Sequence, residues 1–326
     1  MTQASLTQNG APLPPLSDRE IAGLAALRAE PAGDSLPAIA NPMHQGLDGL
    51  TRPAIIGGQA ALVKSFYQGI FLPHGFAGAV EATRAAAALG VTPDLLGADD
   101  VSQTMGFVRL GEDWRPAGLI DMLDPEIFSA VLAAKKRFHE GATLSGAIPL
   151  REEFARLLEE IRRHPVLVPP VTIRMGWDQI TDWVERIIEA CETPMQPGAC
   201  HGENALSNIM IGPEKSVQLI DFDRATMGDI WRDLGAMAQE ICADDEDREA
   251  FIAAYTGAPA TAPQMARLKL YGMLDDALWA MQLMLGEVFP ERQGPELYKY
   301  AANRLVRLRT QISANDMARL LREAQA

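Results

Sequence analysis

Two segments decide the interpretation of this chain: HGENALSN at residues 201–208 and IDFDRATMGDIWRDLG at residues 220–235. Between and into them run two short apolar stretches, NIMIG and VQLIDFD, joined by GPEK, which is typical of a turn. The pattern predicts a β-hairpin with Glu203 and Asn208 on the loop before its first strand. Asp221 ends the second strand, so two acids and one amide converge at one end of the hairpin.

This grouping favours phosphate chemistry. Carboxylate and amide oxygens are hard ligands that suit Mg²⁺ holding the phosphates of a nucleotide. An acid on the same loop can orient a substrate hydroxyl and accept its proton during phosphoryl transfer. The motif HGENALSN taken alone is also compatible with a simple helix cap and loop. Its distance from IDFDRATMGDIWRDLG is what favours the catalytic interpretation.

Composition limits the partners. The 326 residues include 29 Lys and Arg against 43 Asp and Glu, a formal net charge of −14. Such a surface repels phosphate backbones, so we expect no nucleic-acid partner. The three cysteines, Cys191, Cys200 and Cys242, form no CxxC pair and indicate free thiols in a reducing compartment.

Membrane signals are missing from the sequence pattern. The first residues, MTQASLTQNGAPLPPLSD, lack a basic start followed by an apolar run, so we expect no signal peptide. No apolar run approaches the length of a membrane span. We therefore expect a cytoplasmic protein without a membrane partner.

The first third of the chain reads as strand-rich. Residues 1–16 are polar and Pro-rich and predict a disordered tail. Ser17 and Glu20 form a capping box that opens a helix through IAGLAALRAE. Three antiparallel strands follow in AIANPM, PAIIGG and AALVKSFY, although Pro53 weakens the middle one. An Ala-rich helix ended by Gly90 and two strands, in VTPDLLGAD and QTMGFVRL, complete residues 17–110.

Residues 111–326 read as mainly helical around the single hairpin. Helical spacing recurs in six segments: EIFSAVLAAKKRFHEG, LREEFARLLEEIRRH, QITDWVERIIEACE, DREAFIAAYTG, APQMARLKLYGMLDDALWAMQLML and PELYKYAANRLVRLRTQI. The layout is a small strand-rich lobe linked near residues 109–118 to a larger helical lobe.

The segments at 201–208 and 220–235 resemble the catalytic loop and metal motif of the aminoglycoside phosphotransferase and choline kinase superfamily, whose members read H-G/N-D-x-x-x-x-N and then I-D-W/F. The resemblance extends over most of residues 36–285. VEATRAAAALGVTPDLLGAD, FHEG and MARLKLYGMLDDALWAMQ look most like bacterial choline and ethanolamine kinase-like proteins. It implies an α+β fold of the bilobal protein-kinase-like type, with a small antiparallel-sheet N-lobe and a larger, mainly helical C-lobe.

The resemblance also assigns residue roles. Glu203 matches the catalytic Asp, Asn208 the metal-binding Asn and Asp221 the metal-binding Asp. Asp223 falls where choline kinase-like members often carry another acid. The structural residues it implies around the catalytic loop are His201, Asp229 and Asp233.

Lys64 lies in the third predicted strand, ahead of a helix that carries Glu81. A strand lysine can simply point to solvent, but in kinase-like folds such a Lys–Glu pair holds the α- and β-phosphates. The phosphate loop is weakly marked: QGLDGLTRP at 45–53 keeps Gly46 and Gly49, and a plain turn is equally compatible. No Walker GxxxxGK[ST] motif occurs, and the five histidines form no metal cluster in the sequence.

Glu203 is the departure from the family pattern. Its extra methylene lengthens the reach of the carboxylate and adds a rotatable bond. Since phosphoryl transfer depends mainly on positioning and charge, Glu203 can still orient a hydroxyl, or the change can abolish transfer. The alternatives are an active small-molecule kinase and a nucleotide-binding, non-catalytic pseudokinase.

The acceptor is expected in the helical lobe. Choline kinase-like relatives hold an ammonium group with aromatic and acidic side chains, and Trp279, Asp275 and Tyr271 are the candidates here, although a Trp at helical spacing is also typical of a core. We expect a small-molecule acceptor, possibly cationic and choline- or ethanolamine-like, with an aminoglycoside or another hydroxyl metabolite as the alternative.

Overall fold

The computed structural model describes residues 16–36, 46, 48–68, 72–169, 175–288 and 297–326. Nearly all of the predicted disordered tail and the predicted strand AIANPM lie outside these described residues. The described chain has an α+β architecture, with an antiparallel sheet in the first third and mostly helices after it, as expected.

The N-terminal sheet has five antiparallel strands in the order β1-β2-β3-β5-β4. They are β1 (Ala29–Pro31), β2 (Gly49–Ile56), β3 (Gln59–Phe66), β4 (Leu95–Asp99) and β5 (Thr104–Val108). β2 and β3 form a hairpin that turns at Gly57 and Gly58, both with positive φ, a conformation that glycine adopts without strain. Lys64 therefore lies on the central strand of the sheet, opposite Thr51 and Met105.

Pro53 is accommodated inside β2 because of where β1 ends. The Pro53 carbonyl accepts from Ala32 N at 2.9 Å, just beyond the last β1 residue, Pro31. The missing N–H of Pro53 faces the same side as its carbonyl, so the ladder to β3 loses no donor.

Two helices pack with this sheet: α1 (Asp18–Ala26) and α2 (Gly75–Ala88). The capping box of Ser17 and Glu20 at the start of α1 is confirmed. The predicted extension of α1 to Glu30 is wrong: Arg28 takes a left-handed φ of 52°, and the following residues pair with β2 as β1. A local helical propensity is overridden there by strand pairing.

The remainder of the chain holds eight helices and five short strands among the described residues. The helices are α3 (Pro125–Gly141), α4 (Leu150–Arg163), α5 (Trp177–Ala190), α6 (Trp231–Ile241), α7 (Asp245–Thr256), α8 (Ala262–Gly286), α9 (Leu297–Ala314) and α10 (Met317–Ala324). The strands are β6 (Arg115–Pro116), β7 (Pro197–Cys200), β8 (Ile209–Ile211), β9 (Val217–Leu219) and β10 (Thr226–Asp229).

The predicted hairpin is confirmed as β8 and β9, in which Ile209 pairs with Leu219 and Ile211 with Val217. A second antiparallel pair, β7 with β10, lies on either side of it in sequence and was not predicted. Together the two pairs fix both ends of the 201–208 loop.

The main core forms around the 25-residue helix α8, most of which is buried. It packs against α6 and α9, and the cluster continues into α3, α4 and α5. Within the described residues, no helix combines the length and apolar character that a bilayer span requires.

Candidate active site

The loop 201–208 leaves β7 through a glycine that no other residue can replace without strain. Gly202 has a φ of 79°, and a Cβ added there would lie 2.5 Å from the carbonyl oxygen of Arg224. Both the backbone conformation and the close approach therefore demand glycine. The loop therefore lies directly against the backbone of Arg224, which follows Asp221 and Asp223 in the segment 220–235.

Asp233, in the first turn of α6, fastens this loop. Its carboxylate accepts from His201 N at 2.6 Å, from Gly202 N at 3.0 Å and from Asn204 Nδ2 at 3.2 Å. Burial alone would raise the pKa of Asp233, but the charge of Lys135 and a hydrogen bond from His139 lower it. A fully buried ionised acid thus organises the loop 201–208.

His201 has a structural environment. Its Nε2 lies 2.9 Å from the Ile220 carbonyl and 3.1 Å from that of Asp221. Two carbonyl acceptors require a proton on Nε2, so the ring donates and links the catalytic loop to the second motif. Burial, reinforced by the charge of Lys135, lowers the pKa of His201 to about 4 and keeps the ring neutral.

Asp229 supports a different part of the structure from the one expected. It accepts from Met195 N at 3.0 Å and Gln196 N at 3.2 Å, just before β7, and from Arg267 Nη1 at 2.8 Å. The hydroxyl of Tyr271 also donates to it at 3.2 Å. Asp229 therefore fixes the entry to β7 onto α8, rather than the catalytic loop itself.

Lys64 crosses from the sheet to the acid motif. Its Nζ lies 2.7 Å from Asp221 Oδ1 and also contacts the carboxylate of Asp223. Burial alone would lower the pKa of Lys64, but the neighbouring carboxylates of Asp221 and Asp223 raise it above its ordinary value. For Asp221, burial alone would raise the pKa, and Lys64 lowers it; for Asp223, burial and the neighbouring Asp221 raise the pKa.

A third acid, Asp48, joins this pair. One carboxylate oxygen from each of Asp48, Asp221 and Asp223 lies within 4.8 Å of the others. Asp48 comes from the loop before β2, the segment predicted to hold phosphates through its glycines. Sequence reasoning missed this proximity because an acid in such a loop looks like a turn residue; the available signal was the position of Asp48 between Gly46 and Gly49.

A cavity of about 420 Å³ between the sheet and the helical part joins these groups. Its lining includes Lys64, Glu203, Asn208 and Asp221. The Ile220 N–H donates to the Asn208 main-chain carbonyl at 2.9 Å, which holds the backbone of Asn208 next to the residue that precedes Asp221. The residues that the two motifs predicted as one site share one cavity.

A model of the phosphotransferase enzyme family matches residues 77–271, which cover the acid motifs, the catalytic loop and most of the helical part. The chain belongs to the phosphotransferase enzyme family.

Solved structures of the same fold agree with this membership. A choline/ethanolamine kinase family protein from Mesorhizobium loti superimposes with a TM-score of 0.72 at 20% identity, covering 94% of this chain and 99% of that one. Choline kinase LicA from Streptococcus pneumoniae gives 0.67 at 17% identity, covering 88% and 93%. An ethanolamine kinase from Plasmodium vivax gives 0.64 at 13% identity, covering 84% and 86%. A sequence search of curated proteins gave no match.

Glu203, which the sequence resemblance matches to the catalytic acid, is only 3% exposed. Arg224 Nε lies 2.6 Å from Glu203 Oε1, an ion pair in which the N–H is not aligned as a hydrogen bond. Burial raises the pKa of Glu203 well above its ordinary value, Arg224 opposes this, and the nearby Asp221 adds to it. Burial thus favours the neutral form of this carboxyl group, and the charge of Arg224 favours the ionised form.

Arg224 also covers the aromatic candidate. Its guanidinium lies 4.6 Å from the centre of the Trp279 ring, and it donates to Gln282 on the same face of α8. Nη2 lies 3.7 Å from Asp48. Sequence reasoning did not single out Arg224, although it directly follows the acids of the second motif.

The expected pair of Lys64 and Glu81 is not formed. Glu81, on α2, accepts from Ser145 N at 2.9 Å and from Ser145 Oγ at 2.6 Å. Lys64 instead contacts two carboxylates, those of Asp221 and of the buried Asp223, so its charge is already paired. In this phosphotransferase the α2 acid joins the two lobes.

The three acceptor candidates separate in the structure. Trp279 lines the main cavity, as expected. Asp275 faces a small adjoining space shared with Glu203 and pairs with Arg304 at 3.1 Å; burial raises its pKa to about 6. The expectation for Tyr271 is wrong, because its hydroxyl is held by Asp229 and it lines a different cavity.

Proposed function

We propose that this phosphotransferase is an ATP- and Mg²⁺-dependent kinase that transfers the γ-phosphoryl group to a hydroxyl of a small molecule. The observation that carries the proposal is the convergence of Lys64, Asn208, Asp221 and Glu203 on one cavity between the lobes. The fold relative LicA has been solved in a complex with AMP, which supports nucleotide binding by this chain.

The donor set fits a hard divalent ion. Asp221, Asp223 and Asp48 offer carboxylate oxygens within 4.8 Å of one another, and Asn208, which carries an amide oxygen, lines the same cavity as Asp221 and Asp48. Mg²⁺ bound there would neutralise charge on the transferred phosphoryl group. An anionic nucleotide approaching these acids would otherwise be repelled, so the cluster itself argues for a metal-dependent ligand.

The chain's own residues supply positioning and a base. Lys64 presents an ammonium held above the acids and donates to phosphate oxygens. Glu203 lines the same cavity and accepts the proton of the acceptor hydroxyl. Asp233 and His201 hold the loop in place, which matters because a misplacement of about 1 Å can cost roughly a hundredfold in rate.

Nucleotide binding is tested first. Mg·ATP at 100 times its Kd is expected to add about 2.7 kcal/mol to the free energy of unfolding of the wild type. Asp221→Asn keeps the shape but removes a metal ligand, and should lose most of that gain. Glu159→Gln makes the same chemical change on the exposed face of α4 and is the control. An unchanged gain in Asp221→Asn would contradict the metal site.

Catalysis is tested by ADP release with a panel of amino alcohols, aminoglycosides, neutral polyols and hydroxy acids. A choline- or ethanolamine-like acceptor is the member that the family resemblance and the fold relatives favour. Glu203→Gln removes the base and is expected to lower kcat by about 10² to 10⁴. Glu203→Asp should retain measurable turnover.

One observation favours a second candidate, a nucleotide-binding protein without catalysis. Glu203 is buried and already paired with Arg224, so its carboxylate is not presented freely to an acceptor. In that case Mg·ATP stabilises the protein, but wild type, Glu203→Asp and Glu203→Gln all release ADP at the same background rate. A higher turnover in Glu203→Asp than in Glu203→Gln would exclude it.

A further inference from the structure

Arg224 fills a site of recognisable chemistry. Its guanidinium lies 4.6 Å from the centre of the Trp279 ring and its Nε lies 2.6 Å from the carboxylate of Glu203. An aromatic face next to a carboxylate is the arrangement with which proteins bind ammonium ligands. Here the guanidinium of Arg224 occupies both the ring face of Trp279 and the carboxylate of Glu203.

Arg224 is firmly held in this position. It contacts three separate parts of the chain: Glu203 on the catalytic loop, Trp279 and Gln282 on α8, and Asp48 before β2. It is only 6% exposed. Moving it away would leave the carboxylates of Glu203 and Asp48 buried without that charge, which strongly disfavours displacement by a ligand.

A positively charged acceptor would meet two obstacles. Its ammonium would find the ring face covered, and it would approach a fixed guanidinium of the same sign in a poorly solvated cavity. A neutral hydroxyl compound meets neither obstacle, and the guanidinium does not oppose an anionic one. Since Trp279 and Glu203 both line the cavity, the effect acts where the acceptor hydroxyl must reach the base.

We propose that Arg224 determines the charge of the acceptor: the protein phosphorylates hydroxyl compounds that carry no positive charge and rejects ammonium-bearing alcohols. This proposal rests on the proposed kinase function and narrows its substrate class. It departs from the choline- and ethanolamine-like acceptor that the resemblance favours.

Binding of choline and of tetramethylammonium to the full chain, followed by calorimetry with Mg·ATP present, tests the proposal. Wild type is expected to show no saturable binding up to millimolar concentrations. Arg224→Met uncovers the ring and should bind both cations at least tenfold more tightly than wild type. The double variant Arg224→Met with Trp279→Leu should lose that gain, which locates it on the ring.

Arg186→Met is the matched control, because Arg186 stacks on Trp183 at 5.0 Å on the exposed face of α5. It should bind choline no better than wild type. Arg224→Lys keeps the charge and serves if Arg224→Met does not fold; it should still reject both cations. Saturable binding of choline to wild type at submillimolar Kd overturns the proposal, as does a folded Arg224→Met that gains nothing.

The ADP-release panel gives the second readout. Wild type should release ADP above background with neutral polyols or hydroxy acids and not with amino alcohols; the opposite ranking overturns the proposal. Stabilisation by Mg·ATP is measured on the same samples. Its loss in wild type contradicts the kinase function itself, whereas its presence together with choline turnover contradicts only the role of Arg224.

Discussion

His201 illustrates how one residue of a catalytic motif can act through its neutrality. Its Nε2 proton is shared between the carbonyls of Ile220 and Asp221, so the ring ties the catalytic loop to the metal motif. Burial and Lys135 lower its pKa to about 4 from an ordinary 6.5. The folded protein therefore resists protonation of this ring, and acid should loosen the site through it.

The sign of this effect gives a prediction. His201 stabilises the fold fully above pH 6.5, and this contribution is lost as pH falls towards 4, because the unfolded chain binds the proton first. From pH 7 to pH 5 the loss amounts to about 2 kcal/mol. In urea unfolding, the free energy of unfolding of His201→Gln should fall less between pH 7 and pH 5 than that of the wild type. The stability difference between the wild type and the variant should therefore be smaller at pH 5 than at pH 7.

His164→Gln is the control, since His164 lies exposed at the end of α4, and it should follow the wild-type slope. Comparing the two variants matters because Glu203 and Asp223, whose pKa values are raised, act in the opposite direction over this range. A wild-type slope in His201→Gln would contradict a neutral buried ring.

At the residue scale, the sequence could predict groups whose relation is local. Glu203, Asn208 and Asp221 are brought together by one short hairpin, so their spacing was sufficient. Arg224 and Asp48 escaped prediction because their partners lie far away in sequence. The direction in which Arg224 points depends on the packing of α8 behind the loop, which no local pattern encodes.

Among the elements, α6 links the catalytic loop to the core. Asp233 near its start holds the loop, and Gly235, two residues further on, lets the helix approach α8 closely. A Cβ added to Gly235 would lie 2.6 Å from the Leu268 carbonyl and 2.7 Å from the Tyr271 Cβ. The loop position therefore depends on a backbone-to-backbone contact between two helices.

Gly235→Ala is expected to destabilise the protein by about 2 kcal/mol through overpacking. The sign of the stability change is informative, because helix propensity alone would make Gly235→Ala more stable than the wild type by about 1 kcal/mol. Gly228→Ala, where the added Cβ would meet only Cys200 Sγ at 3.6 Å, is the control and should change stability much less. Urea unfolding measures both, and a stabilised Gly235→Ala would contradict the close packing.

Elements with their own start and stop signals were predictable. The capping box at Ser17, the Gly90 terminus with its φ of 65°, and the GPEK turn all mark real boundaries. β1, β7 and β10 were not predicted, since each has only three or four residues and exists through a partner strand elsewhere in the chain. α6 was not predicted either, because its first residues belong to the segment 220–235, which was interpreted through its acidic residues.

For the whole molecule, the function depends on contacts that join the lobes. Lys64 contacts Asp221 and Asp223, Leu219 N donates to the Val91 carbonyl at 2.8 Å, and Glu81 accepts from Ser145. The bilobal fold could be inferred from the change of texture near residue 110 and from the family resemblance. The identity of these contacts could not, because each joins residues from different lobes.

The two roles of Glu81 predict different responses to substitution. If Glu81 only ties the lobes together, Glu81→Gln should have little effect on nucleotide binding, because the amide of Gln keeps an oxygen that can accept from Ser145. The Kd of Mg·ATP should then stay within about threefold of the wild-type value, a change of less than about 1 kcal/mol. Lys64→Met removes the ammonium between the acids and should weaken binding by about tenfold or more. If Glu81→Gln weakens nucleotide binding as strongly as Lys64→Met, the acid partners Lys64 in the nucleotide complex, and the lobes must rearrange around the ligand to bring the two together.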